Sequence, residues 1–291
     1  LRFTVKESAR LEAGFTVWCD TSIKVGHVLN KREIITPNNR HRVAMESASR
    51  VAQADEGVET GWAVSSALSL YRMDAEEYMG MSIKEMAKIA ERYSMDDLAA
   101  HEGDLERYYG SRGREQLARQ VLFHHSPGMI TQMEMFLGMI NKNADAYAVD
   151  FGCGSAPISM ELVLRGHRMD FIDIDGAGAY EFTKWRANKR GVADRCGWEL
   201  GGPYNYALFF DSLEHLANWK EVLADICGRL KDGGALITNY LLNFDYDNPE
   251  HINMNKKAVQ DYLVSLGIYP LNQVLWTKSN LGFMDQKPQE V

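Results

Sequence analysis

No two of the four cysteines, at positions 19, 153, 196 and 227, form a C-x-x-C pair, so neither a zinc site nor a disulfide framework is indicated. Thiol usage of this kind fits a reducing cytoplasm, which is the expected location. A run of roughly 18 apolar residues is also missing, as is a signal-peptide stretch in Leu1-Arg2-Phe3-Thr4-Val5-Lys6-Glu7. A soluble chain without a membrane partner is therefore expected. Excess positive charge is lacking too: a formal net charge of −8 offers no footprint for neutralising phosphates, and nucleic acid is not expected as a partner. The one basic cluster, Lys184, Arg186, Lys189 and Arg190, has helical spacing and reads as a solvated face. The chain begins without methionine, as a processed or truncated product would. What remains is a globular composition, 45% hydrophobic and 25% charged over 291 residues, enough for one large domain or two ordinary ones.

Chemistry concentrates in Val149-Asp150-Phe151-Gly152-Cys153-Gly154-Ser155-Ala156-Pro157. An apolar strand (Ala146, Ala148, Val149, Phe151) runs into a glycine turn, and apolar residues then recur at helical spacing (Ile158, Met160, Leu162, Val163). Glycine admits positive φ and lets a ligand approach without a Cβ in the way. The free N–H groups at the start of the helix favour a negatively charged ligand group. A second strand, Met169 to Ile172, ends in Asp173 and Asp175. A carboxylate there is where a doubly wound fold holds ribose hydroxyls. The dinucleotide fingerprint G-x-G-x-x-G needs glycine at position 157, where proline stands, which argues against a nucleotide-dependent oxidoreductase.

The segment resembles motif I of the class I S-adenosylmethionine-dependent methyltransferases, D-x-G-x-G-x-G, with Asp150, Gly152, Gly154 and, in place of the last glycine, Ala156. Asp173 follows Asp150 by 23 residues, within the roughly 30 of one β-α-β unit, and is the better match to the ribose acid; Asp175 stands behind it. Tyr206-Ala207-Leu208-Phe209-Phe210-Asp211-Ser212-Leu213-Glu214-His215-Leu216 resembles the family's fourth strand and the loop after it. A helix over Val222 to Leu230 and the turn Lys231-Asp232-Gly233-Gly234 into a fifth strand follow, with Asp232 replacing the family's proline. Toward the end, a helix over Lys256 to Leu266 and strands over Ile268 to Leu271 and Val274 to Thr277 are similar to the helix and antiparallel hairpin that close the family's sheet. The resemblance implies an α/β fold: a Rossmann-like, seven-stranded, mostly parallel sheet with an N-terminal helical cap.

Three regions are expected. Residues 1–36 resemble the closing segment of GT-A type nucleotide-sugar glycosyltransferases, through Phe15-Thr16-Val17-Trp18 and Asp20-Thr21-Ser22-Ile23-Lys24-Val25-Gly26-His27, where the family's histidine can bind metal. The sugar-nucleotide half of such an enzyme, with its D-x-D metal motif, is missing, so the segment reads as a remnant without transferase activity, and no metal is expected. Residues 37–142 are helical in character, with N-caps expected at Asp74, Ser82, Ser94 and Asp96. The methionines at 79, 81, 86, 129, 133, 135 and 139 read as core filling. This region would supply the cap that recognises the acceptor, with Tyr108, Tyr109, His124 and His125 as the side chains that could reach it. Residues 143–291 would be the catalytic core.

By resemblance, S-adenosylmethionine is the cofactor and S-adenosylhomocysteine the product. Gly152, Cys153 and Gly154 would lie against its methionine part, Asp150 would orient its ammonium through the loop, and Asp173, with Ile174 beside it, would bind the ribose. Asp211, Ser212, Glu214 and His215 would face the methyl group. For a hydroxyl acceptor, histidine has the right ordinary pKa for a general base; His215 is the first candidate, ahead of His124, His125 and His251. Trp198 is open between stacking on adenine and packing. The expected activity is methyl transfer to a small-molecule or carbohydrate acceptor, through oxygen. The alternative is a non-catalytic methyltransferase-like module accessory to a glycosyltransferase.

Overall fold

A computed structural model describes residues 27–29, 33–35, 62–91, 105–111, 113–140, 145–239, 251–252 and 255–278. Most of the glycosyltransferase-like segment, and the caps expected at Ser94 and Asp96, lie outside the described residues. Within that segment β1 (His27–Leu29) pairs antiparallel with β2 (Glu33–Ile35).

Among the described residues five helices precede the main sheet: α1 (Trp62–Met79), α2 (Ile83–Ala90), α3 (Leu105–Ser111), α4 (Gly113–His124) and α5 (Pro127–Ile140). Then come β3 (Tyr147–Phe151), α6 (Ser159–Leu164), β4 (Arg168–Ile172), α7 (Gly178–Lys189) and β5 (Cys196–Gly197). The chain continues with β6 (Tyr204–Phe209), α8 (Trp219–Gly228), β7 (Leu230–Thr238), α9 (Lys256–Ser265), β8 (Ile268–Pro270) and β9 (Leu275–Lys278). The seven strands lie in the order β5-β4-β3-β6-β7-β9-β8. All neighbours from β5 to β7 are parallel, and β9 runs antiparallel to both β7 and β8. The fold is thus a Rossmann-like α/β sheet, mostly parallel, as expected. After β3 the chain first fills one side of the sheet and then, from β6, the other. The crevice at the carboxyl ends of β3 and β6 is the switch point where such sheets bind ligands.

Alternation along the strands builds a core on each face. Ala148, Leu208 and Ile237 face α1, α2, α4 and α5 in one cluster, while Val149, Ala207, Phe209 and Leu236 face α8 and α9 in the other. Six of the seven methionines named above, at 79, 81, 86, 133, 135 and 139, pack in or against the first cluster, and Met129 is buried as well. Helix limits follow local chemistry. Ser82 opens α2 with a capping box, Glu85 N–H donating to Ser82 Oγ at 3.4 Å and Ser82 N–H to Glu85 Oε2 at 2.7 Å. Asn255 caps α9 by accepting from Lys257 and Ala258 amides. The Lys231–Gly234 turn proves to be part of β7, whose register against β6 shifts between Tyr204 and Tyr206.

Two charge readings are corrected. Asp74 caps nothing: it lies inside α1, fully buried. The supposedly solvated basic face of α7 turns inward onto it. Arg186, 1% exposed, donates from Nε to Asp74 Oδ2 at 3.3 Å, and Arg190 donates to both oxygens, at 3.1 and 2.5 Å. Lys189 Nζ stands 3.3 Å from the same carboxylate and also pairs outward with Glu77, while Lys184 pairs with Asp175 and Glu181. A buried carboxylate needs cations around it, and α7 supplies them.

Candidate active site

The turn after β3 is left-handed three times within five residues: Gly152 at φ 72°, Gly154 at 51° and Ala156 at 49°. Glycine at 152 is also required by space. A Cβ there would sit 2.4 Å from Ser212 Cβ, so the loops after β3 and β6 touch only because it is missing. The turn is held from outside the sheet. Tyr71 of α1 hydrogen-bonds Ser155 Oγ at 2.7 Å and His124 Nδ1 at 3.2 Å. Gln120 of α4 accepts from Ser155 N–H at 3.0 Å, Thr183 of α7 donates to the Gly154 carbonyl at 2.8 Å, and Arg186 Nη1 donates to the carbonyls of Ser155 and Ala156. Asp173 reaches across from the end of β4, its carboxylate accepting from Gly154 N–H at 2.5 Å and Ile174 N–H at 2.7 Å.

Beside this turn lies a cavity of about 630 Å3. Asp150, Gly152, Cys153, Gly154, Asp173 and Ile174 line it from the β3 and β4 side, and Asp211, Ser212 and His215 from the loop after β6. Of the acceptor-contact candidates, Tyr109 and His124 line it, while Tyr108 and His125 do not: Tyr108 is fully buried and His125 donates from Nδ1 to the Val121 carbonyl at 2.6 Å. Glu214 is 2% exposed and lies behind the wall that His215 presents. Trp198 packs rather than lining the cavity, stacked on Phe171 at 5.6 Å with Tyr180 edge-on at 5.9 Å. Sequence reasoning missed the face of α4 formed by Gln116, Arg119, Gln120 and Phe123, which closes the cavity from above the turn. Polar residues at helical spacing read as solvated, so that face carried no local signal.

Charge in the cavity suits a cationic ligand. Asp150, Asp173, Asp175 and Asp211 line it against the single guanidinium of Arg119. Burial pushes Asp150 up to about 7, the Ser159 hydroxyl that donates to its Oδ2 pulling it down and the charge of Asp173 adding to the rise. Burial likewise raises Asp173, against the two amides that stabilise its charged form. His124 is pushed down to about 3 by burial and stays neutral, and the Cys153 thiol is pushed well up, which leaves it inert. Asp211 adopts φ 49°, locked by its own N–H to Asn239 Oδ1 and by Asn239 Nδ2 to its Oδ1, both at 2.8 Å. Strained backbone of this kind gathers at functional sites.

Fold and cavity define a doubly wound α/β domain built to hold a nucleotide-type cofactor at its switch point. Residues 128–264 match a family model described as a methyltransferase domain. The chain carries a class I S-adenosylmethionine-dependent methyltransferase domain, and S-adenosylmethionine is its cofactor. Among solved structures it is similar to an O-methyltransferase family protein from Burkholderia thailandensis, at 11% identity and TM-score 0.47, over 68% of this chain and 72% of that one. It is also similar to the StiE O-methyltransferase domain, at 18% identity and TM-score 0.40, over 48% of this chain and 52% of that one. A third is phosphoethanolamine N-methyltransferase 2 of Haemonchus contortus in complex with S-adenosylmethionine, at 14% identity and TM-score 0.43, over 61% and 45%. The chain spans about half the length of these last two. No curated protein matches the sequence. Among the described residues no helix is long and apolar enough to cross a membrane.

Proposed function

We propose that this domain moves the methyl group of S-adenosylmethionine onto an oxygen of a small or carbohydrate acceptor. The observation that carries the reading is the cavity wall opposite the glycine turn, where His215, His251 and Tyr109 face a site whose other side has the cofactor motif. The sulfonium already makes the methyl a strong electrophile, so the protein's task is to position. Holding the acceptor atom about 3 Å from the methyl carbon supplies several kcal/mol of the barrier. Asp173 would exchange its amide partners for the ribose hydroxyls, Asp150 would orient the ammonium through the loop, and Arg119 would meet the carboxylate. Asp211 and Ser212 would flank the transferring methyl. His215 would activate the acceptor, its imidazole taking the hydroxyl proton as the oxygen attacks.

Residues 37–142 would act as the cap that shapes the acceptor side, and 143–291 as the catalytic core. A carbohydrate is favoured over other acceptors because residues 1–36 resemble a glycosyltransferase ending, and fused segments tend to share a pathway; this is association and not physics. Cytoplasmic location and independence of nucleic acid belong to the same reading. The non-catalytic alternative gains nothing from the site, whose motif residues converge on one cavity. The test is incubation with isotopically methyl-labelled S-adenosylmethionine and a panel of sugars and phenols, followed by locating the label. Label found on nitrogen or carbon would overturn O-methylation, and full turnover by His215→Ala would remove His215.

A further inference from the structure

The short 3₁₀ turn Leu213–His215 after β6 places Glu214 and His215 side by side. His251, from the segment after β7, is pinned against them by the Ile252 N–H, which donates to the Glu214 carbonyl at 2.7 Å. The two imidazoles stand T-shaped, with centroids 4.9 Å apart. A Glu214 carboxylate oxygen and one ring nitrogen from each histidine all lie within 4.8 Å of one another. Both histidines line the cavity and the carboxylate lies buried behind them.

We propose that Glu214, His215 and His251 form a site for a first-row divalent transition cation with an open coordination position facing the methyl-transfer cavity. One carboxylate and two imidazoles are borderline donors, suited to zinc, cobalt or manganese rather than to magnesium or calcium, which want oxygen. Three protein ligands leave a position open, the pattern of catalytic and not of structural sites. With bonds of about 2.1 Å, ligand atoms around a tetrahedral ion lie roughly 3.4 Å apart, so side-chain rotation of about an ångström closes the present spacing.

The chemistry follows from the open position and rests on the reading that the acceptor meets this wall. An acceptor hydroxyl bound to the ion loses its proton to solvent at neutral pH, as metal-bound water does. The alkoxide oxygen then forms its bond to the methyl carbon, the carbon–sulfur bond breaks, and its electron pair returns to sulfur as a neutral thioether. Activation in the loaded enzyme passes through the ion, because the imidazole lone pair of His215 is then committed to it.

The experiment needs neither cofactor nor acceptor. Protein stripped with a chelator is titrated with cobalt(II) and followed by visible absorption, with azide added at saturation. One cobalt per chain with a tetrahedral or five-coordinate spectrum is expected, shifting on azide. Losing a ligand in His251→Ala should weaken binding by more than the roughly 10–100-fold that loss of a supporting partner costs. Should that variant fail to give a native melting transition, His251→Gln and Glu214→Gln serve instead. Absence of the cobalt spectrum, or equal binding by the variants, overturns the site; a spectrum indifferent to azide overturns its opening to the cavity. Calorimetry of S-adenosylmethionine on the stripped protein tests the methyltransferase reading separately.

Discussion

Asp150 is buried at the end of β3, 5% exposed, and its carboxyl is pushed up to about 7. Carried there from its ordinary 3.8, at 1.36 kcal/mol for each factor of ten, the ionised form is about 4 kcal/mol less favourable in the fold than in the unfolded chain. A carboxyl whose folded value is raised stabilises the fold fully below the unfolded value, and that contribution is lost as pH rises through the folded one. Between pH 4 and 8 the wild-type domain should therefore lose stability that Asp150→Asn retains. An amide oxygen can still accept from Ser159, so the variant keeps the bond while shedding the charge. The cofactor's ammonium reverses the preference, because it favours the carboxylate. Affinity for S-adenosylmethionine should thus rise by roughly 25-fold from pH 5.5 to 7.5 in wild type, with proton release on binding. Asp150→Asn should be nearly flat over the same range. The assays are urea unfolding at each pH and calorimetry in buffers of different ionisation enthalpy. An equal pH slope in wild type and variant would refute the assignment of the raised carboxyl to Asp150.

Three further outcomes are expected. Gly152→Ala combines a Cβ 2.4 Å from Ser212 Cβ with φ 72°; the left-handed backbone alone costs about 1–2 kcal/mol, and cofactor affinity should fall at least about tenfold as the loops part, read by calorimetry. Gly178→Ala puts a Cβ 2.2 Å from the Gly113 carbonyl oxygen, a backbone clash that should lower stability by about 1–3 kcal/mol; an unchanged melting temperature would show that α4 and α7 can separate freely. Asp74→Ala leaves Arg186 buried with its carboxylate partner gone and should cost about 3–5 kcal/mol in denaturant unfolding.

The strand–turn–helix around Asp150 was legible because its hydrophobic period switches from two to between three and four exactly where the glycines stand, and Asp173 because a parallel β-α-β unit delivers its second strand end to the same edge. That logic is local, and the comparison of residues 128–264 with the methyltransferase family agrees with it. What stayed hidden depends on contacts between distant segments. Asp74 looked like a helix cap because an isolated acid in a helical stretch ordinarily meets water, and only the packing of α1 on α7 gives it three cationic neighbours. Gln120 reaches the glycine turn across 35 positions of sequence, and polar side chains on an amphipathic helix carry no sign of the ligand they face. Trp198 could not be assigned from sequence, since its role was decided by Phe171 arriving beneath it from β4.

The Asp74–Arg186 contact bears on how such a domain can be inherited. Arg186 belongs to the stretch that matches the methyltransferase family, and it grips the carbonyls of the cofactor turn; its counter-ion belongs to α1, well ahead of that stretch. The catalytic unit is thus not a cassette that can be excised at the family boundary and grafted elsewhere. Cut at residue 128, it would have to bury a guanidinium alone or give up the grip that shapes its cofactor loop, so recombination that preserves activity must carry the α1 helix along.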